Sequence, residues 1–378
     1  MRITVVSRYW PACERSGVTL AAAEHVKMLV NDGHEVSIIG SNSSVIEEKL
    51  PVVERIHVQS SGSGALYSPS RIDKSLLRQA LAKTRPNLVI IEGWQTAITD
   101  AAVDVSNQMN IPILMISHGV SVHPFSFKLV DFMRAIGWIY YRLSSLPNRI
   151  KKLSLLTTLD EKAVSNRFYD RDLAHKFGIT VSSLVNTPIH LSDKIYKREE
   201  RKLQIVLIGY YSEIKNQLGA LEVIHNLPEI FKLRFIGPRK GAYYQKCLKR
   251  VNELGLTERV IFSQDDECEI SSEIAASLVV LSTSITEVLP ITLLEAMANG
   301  TPFVATPVGA VPSLGAGIIA ANSKEQRNAI FALANDDKLW NRTADLGRLQ
   351  YKLYYSSKNV YESLCKILSL AAKENSQR

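Results

Sequence analysis

The sequence predicts an α/β protein of two doubly wound domains in tandem. Three observations carry that prediction. The chain has 378 residues, enough for two hydrophobic cores. Short β-branched runs alternate with segments of helical period along most of its length. The alternation pauses at Tyr196–Lys202 (Tyr-Lys-Arg-Glu-Glu-Arg-Lys), dense in charge and poor in apolar residues, which reads as a linker. The expected bounds are 1–198 for the first domain and 199–355 for the second. Residues 356–378 are expected to form a C-terminal helix that could cross back to the first domain.

Arg2–Ser7 is a β-branched run typical of a buried parallel strand. After a loop, Gly17 precedes Val18, Ala22, Val26, Leu29 and Val30 at helical spacing, and Gly33 suits the left-handed residue that ends a helix. Glu35–Gly40 is the next strand, completing a βαβ unit. The pattern recurs as strand Asn87–Glu92, a helix near Ala97–Met109, and strand Pro112–Ser117 running into His118-Gly119. Strand Leu153–Thr158, a helix from Asp160 and strand Val181–Val185 close the first block. The second block opens with strand Leu203–Gly209 and helix Gln217–His225. Strands Lys232–Gly237, Val260–Phe262, Val279–Ser282 and Phe303–Thr306 follow, with helices between. Ser357–Ala372 is amphipathic, with Val360, Leu364, Ile367, Leu368 and Leu370 on its apolar side. Two such blocks imply a cleft, and ligands of doubly wound sheets bind outside the carboxyl ends of strands. Gly17, His118, Gly209 and Glu287 all follow expected strands, which argues that they share it.

Composition narrows the function. Apolar content of 46% and charged content of 22% are those of an ordinary globular protein. A formal charge of +8 and a pI near 9.2 point to an anionic partner: a phosphate-bearing ligand, an acidic membrane or nucleic acid. Cys13, Cys247, Cys268 and Cys365 are scattered without a Cys-x-x-Cys pair, which fits a reducing compartment and neither a disulfide framework nor a zinc site. No signal peptide or membrane span is expected. The uncharged stretch Ala296–Ser323 is broken by Pro302, Pro307, Pro312 and four glycines.

The most informative stretch is Thr286–Pro302, which holds Glu287 and Glu295 eight positions apart. Pro290 suits a helix start and Gly300 a helix end, so Glu287 falls on the loop before a short helix and Glu295 on its second turn. A helix start offers backbone N–H groups to a phosphate, and a carboxylate beside it accepts from sugar hydroxyls. The pair could also be surface carboxylates, or a hydrolytic acid and base, though no aromatic sugar platform accompanies them. Lys215, after the turn that begins at Gly209, could neutralise a diphosphate or be an exposed loop lysine. Neither Gly-x-x-x-x-Gly-Lys-Ser/Thr nor a Gly-x-Gly-x-x-Gly after the first strand occurs, which weakens kinase-like and dinucleotide readings. His118 could donate to a sugar or phosphate oxygen, or serve as a polar sheet-edge residue. The segment 125–152 interleaves aromatic residues, Trp138 among them, with Lys128, Arg134, Arg142, Arg149, Lys151 and Lys152. As a helix, its narrow polar stripe of Lys128, Asp131, Arg134 and Arg142 fits an interfacial membrane helix or a core helix with basic ends. A nucleic-acid platform is the weakest alternative.

Taken together these blocks resemble a family. Gly17…Glu24-His25-Val26…Gly33-His34-Glu35-Val36, His118-Gly119, Gly209…Lys215-Asn216, Glu258–Phe262 and Glu287…Glu295-Ala-Met-Ala-Asn-Gly-Thr-Pro302 stand in the order of retaining glycosyltransferases of family 4. The fold so implied is GT-B, two Rossmann-like doubly wound domains facing across a cleft. The resemblance implies that Glu295 holds the nucleotide ribose, Glu287 faces the donor sugar and Lys215 holds the diphosphate. Gly17 would allow close backbone approach to the diphosphate, and His118 would lie near the transferred sugar. The backbone N–H groups of Leu289 and Ile291 would help hold sugar and phosphate. No metal is implied, and Asp265-Asp266 reads as exposed loop. No cofactor is implied either, the nucleotide-sugar being a substrate. One departure stands out: the arginine usual after the first glycine of the second domain is Tyr210 here, which can hydrogen-bond a phosphate but cannot neutralise it. Arg239 or Lys240 could substitute. The usual Asn-Gly near the domain junction is Asn186-Thr187.

The expected activity is metal-independent transfer of a hexose from a nucleotide-sugar, UDP-hexose by preference, with retention. The expected acceptor is a lipid-linked or polysaccharide chain of lipopolysaccharide, O-antigen or other surface-polysaccharide biosynthesis. The basic aromatic segment, with Lys128, Arg134, Trp138 and Arg142, suggests peripheral attachment to an anionic membrane at its cytoplasmic face, and nucleic acid is not an expected partner. The alternatives are a non-catalytic partner subunit of the same fold and a sugar-nucleotide epimerase.

Overall fold

The computed structural model describes residues 1–14, 16–63, 65, 68–119, 129–159, 169–184, 192, 196–264 and 269–376. The chain divides into two compact units, Met1–Pro188 with Lys358–Arg378, and Ile189–Ser357.

The first unit is a seven-stranded parallel sheet. Its strands are β1 (Arg2–Ser7), β2 (Glu35–Gly40), β3 (Glu54–His57), β6 (Leu88–Glu92), β7 (Ile113–Ile116), β8 (Leu155–Leu159) and β9 (Thr180–Leu184). A two-stranded antiparallel ladder, β4 (Ser60–Ser61) with β5 (Arg71–Ile72), stands apart. The sheet order is β3-β2-β1-β6-β7-β8-β9. Helices α1 (Gly17–Asn31), α2 (Lys74–Thr84), α3 (Ala97–Gln108), α4 (Leu129–Tyr140), α5 (Leu146–Ile150) and α6 (Tyr169–Lys176) connect the strands, with a π-helical turn at Tyr141–Ser145. Central strands covered on both faces cannot expose either side, so they read as the near-continuous apolar runs seen in Ile-Thr-Val-Val and Leu-Val-Ile-Ile. One face packs on α2, α3, α5 and α6 through Leu77, Ile98, Val105, Ile150 and Ala174. The other packs on α1 and on α13 (Ser357–Ser376), whose Leu364, Ile367, Leu368 and Ala371 join Val26 and Leu29 in one cluster. The Tyr361 hydroxyl donates to Asp32 at 2.5 Å, tying α13 to the end of α1.

The second unit is a six-stranded parallel sheet of order β12-β11-β10-β13-β14-β15. Its strands are β10 (Lys202–Ile208), β11 (Lys232–Ile236), β12 (Val260–Ser263), β13 (Ser277–Ser282), β14 (Phe303–Ala305) and β15 (Ile318–Ile319). Helices α7 (Gln217–His225), α8 (Ala242–Glu253), α9 (Ile270–Ala276), α10 (Ile291–Ala298), α11 (Ser323–Asn335) and α12 (Asp337–Gln350) link and cover them.

The stretch read as a linker is more structured than its charge suggests. Arg198–Glu200 is a 3₁₀ turn, Lys202 already belongs to β10, and Arg201 is buried. The Arg201 guanidinium donates to Thr301 Oγ1 at 2.6 Å, to the Gly300 carbonyl at 3.1 Å and to the Ser277 carbonyl at 3.2 Å. It stacks 4.7 Å from the Trp340 ring centroid. It therefore caps the carbonyl end of α10, where a cation is favoured. Burial first, then the charges of Arg348 and Arg198, bring its pKa down to about 10.

The helix expected from Asp160, together with Val185, Asn186-Thr187 and Asp265-Asp266, lies outside the described residues.

Candidate functional site

In the second unit, Lys215 and Glu287 meet although 72 positions separate them in the chain. β10 ends at Ile208 and runs into Gly209, whose φ of 148° is closed to L side chains. Tyr210 follows with its side chain exposed. The turn then closes as the Ser212 hydroxyl accepts the Lys215 N–H at 3.3 Å. Thr283, just past β13, donates its hydroxyl to the carbonyls of Lys215 and Asn216 at 3.0 and 2.8 Å. The Ile285 N–H donates to the Ile214 carbonyl at 2.7 Å. These bonds lash the end of β13 to the turn after β10. On that frame Lys215 Nζ donates to Glu287 Oε1 at 2.5 Å, and the Ser284 hydroxyl donates to the same oxygen at 2.7 Å.

The chain then enters α10. Gly309 packs so closely under the Glu287–Val288 backbone that a Cβ there would lie 2.2 Å from the Glu287 carbonyl oxygen. The Ala310 N–H donates to the Val288 carbonyl at 2.8 Å. Leu289 is buried, and Pro290 caps the helix in extended conformation, so Ile291 is the first helical residue. The opening N–H groups of a helix have no partner within it. Glu295 lies on the second turn with 9% of its surface exposed, and among the described residues no donor or cation pairs with its carboxylate. Burial alone pushes that carboxyl up to about 8. A buried carboxylate without a donor is an unmet demand for hydroxyl or amide protons.

Gly17, His118 and Trp138 belong to the first unit. Gly17 opens α1 directly after Ser16, whose side chain forms a reciprocal capping box with Thr19. Ser16, His118 and Trp138 line a cavity of about 510 Å³ together with Arg8, Tyr9, Trp94 and Thr96. Trp138 is half-buried and edge-on to Tyr141, with ring centroids 6.0 Å apart. His118 Nε2 lies 2.7 Å from Glu92 Oε2, and His25 Nδ1 lies 2.9 Å from Glu92 Oε1. Burial pushes the Glu92 carboxyl up, but the charge and hydrogen bonds of the two histidines outweigh it and hold the group down at about 2.

Reasoning from the sequence missed Glu92 and the aromatic lining. A usable signal for Glu92 was present: one acid closing an otherwise apolar buried strand requires a partner. The aromatics Tyr9, Trp94 and Trp138 are too far apart in sequence to read as one wall.

Of the residues expected to meet a membrane, Lys128 and the side chain of Arg134 lie outside the described residues, and Arg142 is half-buried. Among the described side chains, those that α4 and the turn after it expose are apolar: Phe132, Met133, Ile136, Ile139, Tyr140 and Leu143, the last 76% exposed. No helix among the described residues is long and apolar enough to cross a membrane.

Among solved structures the chain is similar to sucrose-phosphate synthase from Thermosynechococcus elongatus, at 15% identity and a TM-score of 0.74, over 98% of this chain and 99% of that one. It is similar to Anabaena HepE in complex with UDP and glucose, at 14% identity and a TM-score of 0.71, over 98% and 99% of the two chains. S. aureus TarM, in a complex that includes UDP, aligns at 13% identity and a TM-score of 0.72 over 98% and 100%. At these identities the likeness is one of fold. No curated protein matches the chain. Residues 190–339, most of the second unit, match the family model for glycosyl transferases group 1, and the whole chain has the GT-B fold of two parallel-sheet, Rossmann-like units.

Proposed function

We propose that this protein is a retaining, metal-independent hexosyltransferase that takes a hexose from a UDP-sugar and places it on a lipid-linked saccharide during lipopolysaccharide or other surface-polysaccharide assembly. The observation that carries the reading is the buried, partnerless Glu295 carboxylate on the helix whose start adjoins the Lys215–Glu287 pair. A nucleotide-sugar meets each of these needs: ribose hydroxyls for Glu295, diphosphate for Lys215 and the start of α10, and sugar hydroxyls for Glu287. The family match over the second unit and the UDP and UDP-glucose held by the HepE structures support a uridine donor.

In the proposed reaction the bond from the sugar's anomeric carbon to the leaving phosphate oxygen breaks. A bond to the acceptor oxygen forms on the same face, and the acceptor proton passes to the departing phosphate. The protein's part is electrostatic. Lys215 and the N–H groups of α10 stabilise charge gathering on the diphosphate. His118 serves the sugar, and the aromatic-lined cavity of the first unit takes the saccharide acceptor. The exposed stripe on α4 suits the boundary of a lipid bilayer, which would bring the protein to a lipid-linked acceptor.

A second reading rests on Tyr210. With Lys215 already paired to Glu287, a tyrosine in place of a second cation favours a partner subunit that kept the fold without turnover. A screen of nucleotide-sugars by thermal shift, then product analysis by NMR with the best donor, separates the two. The proposal expects donor turnover and a product of retained anomeric configuration. Donor binding without turnover, even of slow hydrolysis, would leave the partner-subunit reading.

A further inference from the structure

Glu287 stands on a backbone fixed on both sides. Three residues before it, the Ser284 carbonyl accepts from the Thr306 hydroxyl at 2.6 Å, and Gly309 packs under the Glu287–Val288 peptide. The two carboxylate oxygens are treated unequally. Oε1 accepts twice, from Lys215 Nζ at 2.5 Å and from the Ser284 hydroxyl at 2.7 Å. Oε2 has no donor or cation among the described residues, and the side chain keeps 13% of its surface exposed. The two groups that hold Oε1 differ in kind. Lys215 is 30% exposed, and its stem runs over Gly209, where an added Cβ would meet Cε at 3.5 Å. It is a cation on a flexible stem, and an incoming diphosphate competes with Glu287 for it. Ser284 is 3% exposed, uncharged and short. Its Oγ accepts from the Ser282 hydroxyl at 3.5 Å, so its own proton is left for Glu287. A phosphate's charge does not draw that hydroxyl away.

We propose that Ser284 is a positioning residue: its hydroxyl keeps hold of Glu287 Oε1 when a diphosphate engages Lys215, which leaves Oε2 to accept a hydrogen bond from a hydroxyl of the donor sugar. That the hydroxyl belongs to a donor sugar rests on the function proposed above. The arrangement divides the labour at the site. Lys215 answers to the diphosphate, and Ser284 acts only through Glu287, on the sugar. A ligand that carries the diphosphate without the sugar should therefore be indifferent to Ser284, whereas a defect in folding or in the diphosphate site would weaken both kinds of ligand.

The experiment is calorimetric titration of the full chain with UDP and with the tighter-binding of UDP-glucose and UDP-galactose. Ser284→Ala is expected to weaken the UDP-hexose roughly tenfold, the scale of a lost hydrogen bond to a charged group, and to leave UDP unchanged. In a Glu287→Ala background, Ser284→Ala should add almost nothing, because the carboxylate it acts through is gone. Should Ser284→Ala not fold, Ser284→Cys is read in the same way, being close in shape but a weak donor. Equal losses for UDP and UDP-hexose overturn the inference, as does no loss for either. A loss that simply adds to that of Glu287→Ala also overturns it, and so does an unsubstituted protein that binds no UDP-hexose. Product analysis with the same donor separates this from the function proposed above. Retained transfer at an undiminished rate in Ser284→Ala would leave that function and remove the role of Ser284. A chain that transfers nothing, yet shows the selective loss of UDP-hexose, would fail the function and leave the role standing.

Discussion

Glu295 is a carboxylate in a place from which water is largely excluded, and its consequences are readable by pH. Burial raises its folded pKa to about 8 from an ordinary 4.5. Between those values the folded protein holds a proton that the unfolded chain has released, so this group makes stability fall as pH rises, levelling off above about pH 8. Glu295→Gln should therefore raise the melting temperature by several degrees near about pH 9 and by much less near about pH 5. Calorimetric melts across that range check this, and a pH-independent difference would contradict it. UDP should shrink the high-pH gain, because ribose hydroxyls favour the charged carboxylate. In the proposed reaction Lys215 is the group that meets the leaving diphosphate. Lys215→Ala should lower turnover roughly 10²-fold, the scale of a lost oxyanion donor, and turnover close to that of the unsubstituted protein would remove it from the mechanism.

At the scale of elements, α4 is the one whose burial pattern departs most from a soluble helix. Its inner side contributes Ala135 and Trp138 to packing, while Phe132, Ile136, Ile139, Tyr140 and Leu143 return at helical spacing on the exposed side. Each large apolar side chain that leaves water contributes about 1.5–3 kcal/mol, enough in combination for reversible attachment to a bilayer. The double substitution Ile136→Glu with Leu143→Glu should weaken sedimentation with anionic vesicles by roughly tenfold or more, without changing the melt. Failure of the unsubstituted protein to sediment with such vesicles at low salt would end the membrane proposal. Among helices of the second unit, α10 is clamped at both ends: Gly309 packs under its entry and Arg201 collects the carbonyls at its exit. That is how eight residues hold Glu295 in place while the opening N–H groups of the helix lack a partner within it.

For the molecule as a whole, the last helix belongs to the first unit while the chain preceding it belongs to the second. Removing residues 357–378 should therefore destabilise the unit that is remote in sequence. Leu364, Ile367 and Leu368 are almost fully buried there, so the loss should be about 6 kcal/mol, on the order of an entire domain stability. The truncated chain should lose its first-unit unfolding transition in calorimetry yet retain a transition that UDP raises. Loss of the UDP-responsive transition as well would contradict this division.

The sequence alone determined the two α/β blocks and most of their strands. A parallel strand buried on both faces must be an apolar, β-branched run, and that local rule needs no tertiary information. It also determined the entry and exit of α10, since Pro290 and Gly300 act on their own backbone. Glu54–His57 was illegible because it is an edge strand of mixed polarity, and Ile318–Ile319 because two residues carry no period. The tertiary structure alone decided which charges matter and with whom. Arg201 has the composition of a linker and is buried; Glu92 ends a strand and joins two histidines; Lys215 and Glu287 find one another across 72 residues. Local propensity follows from a residue and its neighbours, whereas the worth of a charge follows from the water and partners around it, and only the folded chain sets those.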